Sequence, residues 1–392
     1  MPPRPRARRV LAAAAVVTVA AGVAAGCASP SSWTPGQDAV VDAETVLDPW
    51  FEAVRTADEA AATIVVMGDS VSEGAGLDTP RKRWVDRLQR GLRSRAGTPG
   101  CEAGPAGYHG TTSLVPTFYQ TETLPDPAVE GRAERALEVG PGGRSMRLAP
   151  GGSVAWPVQA TGVDVGYRTQ SGGGRVVFEV DGERRGSRTT AVEGEGGRAV
   201  WSSPELGPGR HVVTARNVSD EPAPVTVTDL IPYRGDRDRC VHVLDASRSG
   251  VRLATIVRTP GYLADTLSLQ PDLLMVPLGF NDIIARTSPE EFGRDLGRLV
   301  RESRSFGYEG PVLLVGWFTP DLYPWHPAWR DYLDQMQGAT RIEGVSFVNL
   351  APVLPPVREA PDGIYVDRLH PSAKGQPLIS RALLPALAPR AE

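Results

Sequence analysis

Two segments far apart in the chain carry side chains that could together activate a hydroxyl group. Ser70 ends a Gly-Asp-Ser turn directly after the apolar run 63–67, and His370 follows Asp367 by three residues. A serine hydroxyl is a poor nucleophile until a neighbouring base takes its proton, and an imidazole can do so. A carboxylate beside the imidazole would hold its tautomer and stabilise its charged form. Alone, a serine in a turn is usually a cap, so this interpretation needs support from elsewhere.

Support comes from the order in which short polar segments follow apolar runs along the chain. Three such segments come after strand-like runs, and a fourth precedes the last helical pattern. Reactive groups of parallel-sheet enzymes lie at the carboxyl ends of strands, where these segments would be placed. In chain order the segments are 68–74, 245–250, 279–282 and 367–371.

This order and spacing resemble the four blocks of the SGNH (GDSL) hydrolases, over about 43–100 and 240–390. The resemblance implies a serine ester hydrolase. The four name-giving residues of the family correspond here to Ser70, Gly250, Asn281 and His370. One departure is Asp245, where many relatives carry Asn; it affects a supporting position only.

The chemistry that the resemblance implies fits these residue types. Ser70 would be the nucleophile, His370 the base and Asp367 its orienting carboxylate. The backbone N–H groups of Ser70 and Gly250 and the side-chain amide of Asn281 would form the oxyanion hole. Such donors stabilise the tetrahedral intermediate of acyl transfer.

Other classes of site are not indicated by the sequence. The remaining histidines have no carboxylate at the spacing that Asp367 has to His370, and no His/Cys/Asp cluster has metal-ligand spacing. There is no phosphate loop and no dinucleotide fingerprint, so no cofactor is implied. A formal net charge of −4 gives no indication of nucleic-acid binding.

The elements that would position these residues alternate between strands and helices. Helical spacing recurs in 83–95, 289–304 and 327–337, between short apolar runs that look like buried parallel strands. Such alternation predicts an α/β fold with a parallel sheet covered by helices on both faces. The resemblance implies the three-layer α/β/α, flavodoxin-like version of this fold.

A different texture interrupts this pattern, with frequent Gly and Pro and strand-like alternation. Several short strands at close spacing predict an inserted all-β sandwich at 138–233, between hydrolase parts at 43–137 and 234–392. The layout resembles the SGNH branch with a carbohydrate-binding-like sandwich, as in bacterial peptidoglycan O-acetylesterases. This likeness would give the module a role in positioning polymer; the alternative is that it only shapes one wall of the site. The segments that carry the likeness are 50–55, 104–108, 173–182 and 207–211.

The cysteines and the N-terminus indicate an exported protein. Four arginines within the first nine residues precede an apolar run, which is typical of an export signal. The stretch 23–27 resembles a bacterial lipobox, so 1–27 is predicted to be a lipoprotein leader with lipid on Cys27; the alternative is a cleaved secretory peptide. A flexible linker would follow at 28–42.

Cys101 and Cys240 lie on either side of the insertion. In an exported protein two cysteines suggest a disulfide, here at the neck of the insertion; the alternative is two unrelated thiols.

The function that this pattern favours is removal of small O-acyl groups, such as acetyl, from a cell-envelope polysaccharide. The expected partners are an acylated glycan or small ester and, through Cys27, the outer face of the cell membrane. Three alternatives stay open: an O-acyltransferase with the same acyl-enzyme, a lipid esterase or thioesterase, and a non-catalytic glycan-binding lipoprotein. The intact set of Ser70, Asp367 and His370 argues against the last.

Overall fold

The computed structural model describes residues 39–101, 112–113, 127–136, 138–220, 222–233, 235, 237–322 and 328–389. The chain divides into two units, Met1–Ser32 and Trp33–Glu392, and every described residue belongs to the second. The predicted leader with Cys27, and residues 28–38 of the predicted linker, lie outside the described residues. Of the helices that the structure describes, none is long and apolar enough to cross a membrane.

Seventeen strands are formed by the described residues. They are β1 (Val41–Asp42), β2 (Ala62–Val66), β3 (Thr112–Ser113), β4 (Ala128–Glu130), β5 (Ala133–Ala136), β6 (Ser145–Leu148), β7 (Ser153–Ala160), β8 (Gly162–Arg168), β9 (Arg175–Val180), β10 (Glu183–Thr189), β11 (Arg198–Ser202), β12 (Gly209–Asn217), β13 (Val225–Tyr233), β14 (Val241–Asp245), β15 (Leu273–Val276), β16 (Val312–Gly316) and β17 (Val345–Asn349).

Nine α-helices lie in the same part of the chain. They are α1 (Asp48–Arg55), α2 (Ser70–Glu73), α3 (Trp84–Ala96), α4 (Leu253–Arg258), α5 (Pro260–Leu267), α6 (Phe280–Ile284), α7 (Pro289–Ser305), α8 (Trp329–Gly338) and α9 (Gln376–Leu387). Short 3₁₀ segments are found at Glu44–Leu47, Pro80–Lys82, Pro141–Gly143, Ala339–Arg341 and Val357–Glu359.

The first sheet has the strand order β1-β17-β16-β15-β2-β14. All neighbouring strands in it are parallel except β1, which pairs antiparallel with β17 at one edge. Strand β2 is buried along its whole length, as expected for an apolar strand covered on both faces. In sequence order the five parallel strands lie 2-1-3-4-5 across the sheet. The order therefore reverses between β2 and β15, which is where open α/β sheets bind ligands.

Helices form a layer on each face of this sheet. Helix α3 packs against α9, whereas α7 packs against α4, α5 and α8. In α3 the predicted apolar stripe is buried, with Trp84, Leu88 and Leu92 each no more than 1% exposed. The predicted three-layer, flavodoxin-like α/β fold is thus confirmed.

The second and third sheets are antiparallel and form the inserted module. One has the order β10-β9-β12-β7-β4, and the other has the order β11-β8-β13-β6-β5, with β3 paired to β13. Their facing side chains form a separate core that includes Trp156, Phe178 and Trp201. The rings of Phe178 and Trp201 stack with centroids 4.6 Å apart. The insertion of an all-β module into the α/β domain is confirmed.

Two predicted boundaries are wrong in detail. The sandwich begins before 138, because β4 pairs with β7 and β5 pairs with β6. These strands have three and four residues and bury none of them fully, so they lack the alternation that marks a strand in a sequence. Residues 41–42, assigned to the linker, form β1, whose backbone pairs with Val348 and Phe347.

A disulfide closes the neck of the insertion. Cys101 and Cys240 are bonded, with their Cα atoms 5.5 Å apart. The carbonyl of Cys240 accepts the N–H of Ala62, at the start of β2, at 2.9 Å. The bond therefore lies at the amino ends of β2 and β14, at the edge of the sheet opposite to Ser70.

Candidate active site

Three neighbouring strands, ordered β15-β2-β14, carry three of the predicted site residues at their carboxyl ends. Ser70 is the first residue of α2, which follows β2, and Asn281 lies in α6, which follows β15. Gly250 lies at the end of the short loop that follows β14, and its φ of 76° is left-handed. The sheet topology thus brings residues from three distant segments to the point where the strand order reverses.

The turn that presents Ser70 is held tightly. The Asp69 side chain caps α2 by accepting the N–H of Val71 at 2.9 Å. Position 68 requires glycine, because a Cβ there would lie 2.9 Å from the hydroxyl oxygen of Ser247. Ser70 itself is only 4% exposed, so its hydroxyl group has a fixed and largely desolvated setting.

A chain of hydrogen bonds joins Ser70, His370 and Asp367. The Ser70 Oγ atom lies 2.8 Å from Nε2 of His370, and Nδ1 of His370 lies 2.8 Å from Oδ2 of Asp367. A carboxylate accepts hydrogen bonds only, so Nδ1 carries the ring proton and Nε2 faces the hydroxyl as an acceptor. The structure therefore brings together all three residues of the predicted triad in the geometry that general-base activation of a serine needs.

Asp367 is held by the turn that it begins. Its Oδ1 atom accepts the backbone N–H groups of Leu369 and His370 at 2.8 and 2.7 Å. Burial opposes ionisation of Asp367, but the hydrogen bonds from His370 outweigh it and lower the pKa of Asp367 to about 2. The carboxylate is therefore charged at neutral pH and can stabilise an imidazolium on His370.

The three predicted oxyanion donors are available. The backbone N–H groups of Ser70 and Gly250 donate to no other described residue, and the Asn281 side chain likewise makes no hydrogen bond within the described chain. Ser70 can offer its N–H because it begins a helix, where the first amides have no partner in the helix. An oxyanion would find these groups at the ends of β2, β14 and β15.

The loop after β14 runs alongside the turn that presents Ser70. The N–H of Ala246 donates to Val66 O at 2.9 Å, and that of Arg248 donates to Gly68 O at 3.0 Å. In return, the N–H of Gly68 donates to the Ser247 hydroxyl at 3.0 Å. These bonds fix the segment that leads to Gly250 against the segment that leads to Ser70.

The departure at Asp245 has a structural reason. Its Oδ2 atom lies 2.7 Å from Nη1 of Arg83, whose Nε lies 2.7 Å from Oδ2 of Asp86. All three side chains are at most 1% exposed. A buried guanidinium needs compensating charge, which an asparagine at 245 would not supply.

A second buried ion pair lies beside α2, the helix that begins at Ser70, and the sequence alone does not predict it. Glu73, at the end of α2, pairs with Arg144, which precedes β6 in the sandwich, and both side chains are 1% exposed. Glu73 lies inside the segment 68–74, where a charged side chain in a turn expected to be buried indicates that a partner of opposite charge is needed. Arg144 lies among many surface arginines of the module and gave no signal.

Two carboxyl groups beneath the site are shifted by burial. Desolvation raises the pKa of Asp69 to about 7, and it raises the pKa of Asp282 to about 7 as well. Asp282 follows Asn281 in the chain, and both of its carboxyl oxygens accept the N–H of Leu253 at 3.2 Å. This residue thus connects the helix that bears Asn281 to the start of α4.

Two described histidines outside the triad have structural partners. His242 is 3% exposed, with its Nδ1 atom 3.0 Å from Arg93 Nη2, and His211 pairs with Asp181 at 2.7 Å in the sandwich. Within the described ranges, no group of three His, Cys, Asp or Glu residues is arranged to hold a metal ion.

Comparisons with known proteins indicate which family the chain resembles. The family model of the GDSL-like lipase/acylhydrolase family matches residues 214–378, a region that contains Gly250, Asn281, Asp367 and His370 but begins after Ser70. No curated protein matches the sequence of the chain.

Several solved structures resemble the chain. A peptidoglycan O-acetylesterase superposes with a TM-score of 0.64 at 15% identity, covering 88% of this chain and 97% of that chain. A salicylyl-acyltransferase from a tetracycline biosynthetic pathway has 12% identity, a TM-score of 0.31 and coverage of 69% and 95%. A family two carbohydrate esterase from Cellvibrio japonicus has 14% identity, a TM-score of 0.30 and coverage of 66% and 98%. The family match over residues 214–378 and the fold shared with the peptidoglycan O-acetylesterase along most of the chain support a serine ester hydrolase of the SGNH (GDSL) type.

Proposed function

We propose that this hydrolase removes small O-acyl groups, chiefly acetyl, from a cell-envelope or other polysaccharide through an acyl-enzyme on Ser70. The observation that carries the proposal is the hydrogen-bonded chain from Ser70 through His370 to Asp367. The donors Gly250 and Asn281, on the neighbouring strand ends, complete the site.

The first half of the reaction forms the acyl-enzyme. Ser70 Oγ attacks the ester carbonyl while its proton passes to Nε2 of His370, and Asp367 stabilises the resulting imidazolium. The carbonyl oxygen becomes an oxyanion that accepts from the N–H groups of Ser70 and Gly250 and from the Asn281 amide. The intermediate then collapses, the sugar hydroxyl leaves with the proton from His370, and the acyl group stays on Ser70.

The second half restores the enzyme. His370 takes a proton from water, which attacks the acyl carbonyl, and the same donors stabilise the second oxyanion. Collapse of this intermediate breaks the bond to Ser70 Oγ, which regains its proton from His370, and the free acid leaves. A glycan hydroxyl in place of water would make the same acyl-enzyme an acyltransferase.

The choice of a glycan substrate is supported by the extent of the structural likeness. The match to the peptidoglycan O-acetylesterase covers 88% of this chain, so it includes the sandwich as well as the α/β domain. A polymer also needs an open site, and the Asp367 side chain at the rim is 51% exposed.

The sandwich itself offers no aromatic platform in its described part. Trp156, Tyr167, Phe178 and Trp201 are each at most 5% exposed and fill its core. A sugar ring bound to the module would therefore not stack on these rings. We propose that the module contributes to substrate choice through polar contacts and through its contact with the catalytic domain.

The substrate is tested with p-nitrophenyl acetate, butyrate and octanoate and with O-acetylated peptidoglycan and acetylated xylan. We expect kcat/KM to fall as the acyl chain lengthens, and we expect acetate release from at least one polymer. Ser70→Ala provides the blank. A preference for octanoate would overturn the small-acyl assignment. Acyl transfer to an added glycan acceptor faster than acetate release would replace the hydrolase with the transferase.

We also propose that the protein is exported and held at the outer face of the membrane by lipid on Cys27. The disulfide between Cys101 and Cys240 supports export, because such bonds persist in oxidising compartments. In cells, the wild type should partition with membranes and take up a fatty-acid label, and Cys27→Ser should do neither. Equal membrane association of Cys27→Ser would reject the anchor.

A further inference from the structure

The loop between β5 and β6 of the inserted module reaches the carboxyl edge of the catalytic sheet. Segment 140–144 lies between α5 and the loop after β14, and the N–H of Gly142 donates to the Thr266 hydroxyl at 3.3 Å. A Cβ at Gly142 would lie 2.8 Å from the carbonyl oxygen of Ala246, so only glycine permits this approach. The segment thereby delivers Arg144 into the interior of the α/β domain.

Arg144 and Glu73 are both hydrogen-bonded to the loop that ends at Gly250. Nη1 of Arg144 donates to one carboxylate oxygen of Glu73, and its Nη2 donates to Ser247 O at 2.5 Å. The other carboxylate oxygen of Glu73 accepts the N–H of Ser249. The ion pair therefore holds a carbonyl and an amide of the loop immediately before the oxyanion donor.

The same pair connects this loop to the nucleophile. Glu73 is the last residue of α2, and Ser70 is the first. With both partners 1% exposed, removal of Arg144 would leave the Glu73 carboxylate buried without its compensating charge. The Glu73 carboxylate would then bind water, take up a proton or move away from Ser249. Any of these changes would displace the loop.

We propose that Arg144 is a positioning residue for ester hydrolysis: the inserted sandwich supplies the charge that sets residues 246–250, the oxyanion loop, against α2, the helix that begins at Ser70. This inference rests on the proposed roles of Ser70 and Gly250. Arg144 touches no reacting atom and acts through Glu73, Ser247 and Ser249.

Removal of the sandwich should impair catalysis as well as any recognition of polymer. A module that only positions polymer could be deleted over 138–233 without loss of activity on small esters. Because Arg144 lies within that span, the deletion would also impair hydrolysis of p-nitrophenyl acetate. Catalysis and polymer recognition are therefore separated by point variants and not by deletion.

The first test compares Arg144→Met and Arg144→Lys with the wild type on p-nitrophenyl acetate. A loss of position in the oxyanion loop should lower kcat by about 10–100-fold and leave KM nearly unchanged. Adding Glu73→Gln to Arg144→Met should restore much of kcat, because the amide keeps an acceptor for Ser249 and removes the unpaired charge. Arg144→Lys, which cannot hold Glu73 and Ser247 in the same fork, should fall between the wild type and Arg144→Met.

The matched control is Arg198→Met. Arg198 forms a pair with Asp229 in which the side chains are 3% and 1% exposed, within the sandwich. It should lose thermal stability as Arg144→Met does, but keep the wild-type kcat. An equal kcat loss in Arg198→Met, or wild-type kcat in folded Arg144→Met, would overturn the proposal. Where Arg144→Met does not fold, wild-type kcat in Arg144→Lys would overturn it.

Labelling with a fluorophosphonate separates this proposal from the site assignment. Every Arg144 variant should still be labelled at Ser70, at a rate that falls with kcat. Labelling of the wild type at another residue would refute the role of Ser70 and not the coupling through Arg144.

Discussion

The Asp245 carboxylate, at the end of β14, lies 2.7 Å from the Arg83 guanidinium, which immediately precedes α3. Neither side chain is more than 1% exposed. Asp245 Oδ1 also accepts the N–H of Ser247 at 3.1 Å, so the pair stabilises the base of the oxyanion loop as well as the helix start.

Asp245→Asn should therefore destabilise the protein. Removing one partner of a buried pair typically costs about 3–5 kcal/mol, and the lower end, about 3 kcal/mol, is expected here because Arg83 keeps Asp86. Urea unfolding followed by circular dichroism measures the change. A loss below about 1 kcal/mol would show that Arg83 does not depend on Asp245.

Asp367→Asn should lower kcat by about 10²–10⁴-fold with little change in KM, because the amide no longer stabilises an imidazolium on His370. Steady-state kinetics on p-nitrophenyl acetate measures the effect. Asp362→Asn, an exposed change in the same segment, is the matched control and should behave as the wild type. An Asp367→Asn enzyme within a few fold of wild type would remove Asp367 from the triad.

The lowered pKa of Asp367 should also affect how stability depends on pH. The pKa of Asp367 is lowered to about 2, so its contribution to stability is present above its unfolded value near 3.8 and is lost as pH falls toward 2. The free energy of unfolding of the wild type should therefore drop over this window more steeply than that of Asp367→Asn. Parallel curves for the two proteins between pH 4 and pH 2 would contradict the shift.

Asp282 should produce the opposite slope. Its pKa is raised to about 7, so the folded protein keeps a proton that the unfolded chain releases near pH 3.8. The stability contributed by this group is present below 3.8 and is lost as pH rises toward 7. Asp282→Asn should flatten the decline in unfolding free energy across this window, and an unchanged slope would refute the raised pKa.

The disulfide should contribute strongly to stability, because it spans 139 residues. In the chain-entropy model, a loop of this size contributes about 4–5 kcal/mol. Urea unfolding of the Cys101→Ser/Cys240→Ser variant against the oxidised wild type measures the loss. Peptide mapping that finds both thiols free in exported protein would contradict the bond.

The positions of the candidate catalytic residues could be predicted because parallel-sheet topology makes local sequence informative. Ser70, Gly250 and Asn281 each follow an apolar strand, and neighbouring parallel strands bring their carboxyl ends to one edge. Asp367 and His370 needed only a local turn, since backbone N–H groups within it hold the carboxylate. Most of the candidate site could therefore be predicted from residues that are close together in the sequence.

Arg144 could not be predicted, because its role depends on a contact between two domains. Nothing near position 144 in the sequence indicates a partner at Glu73. The two side chains pair because the folded module brings Arg144 next to α2. The start of the sandwich was missed for a related reason: β4 and β5 acquire strand structure from pairing with β7 and β6 and not from their own pattern.

The assignment of Ser70 as nucleophile is tested most directly by mass spectrometry after reaction with a fluorophosphonate. We expect one adduct on the wild type, located at Ser70, and none on Ser70→Ala, which should also lose ester hydrolysis. Ser72→Ala, which alters another buried serine of α2, should be labelled and active as the wild type. An adduct on any other residue, or wild-type hydrolysis by folded Ser70→Ala, would contradict it.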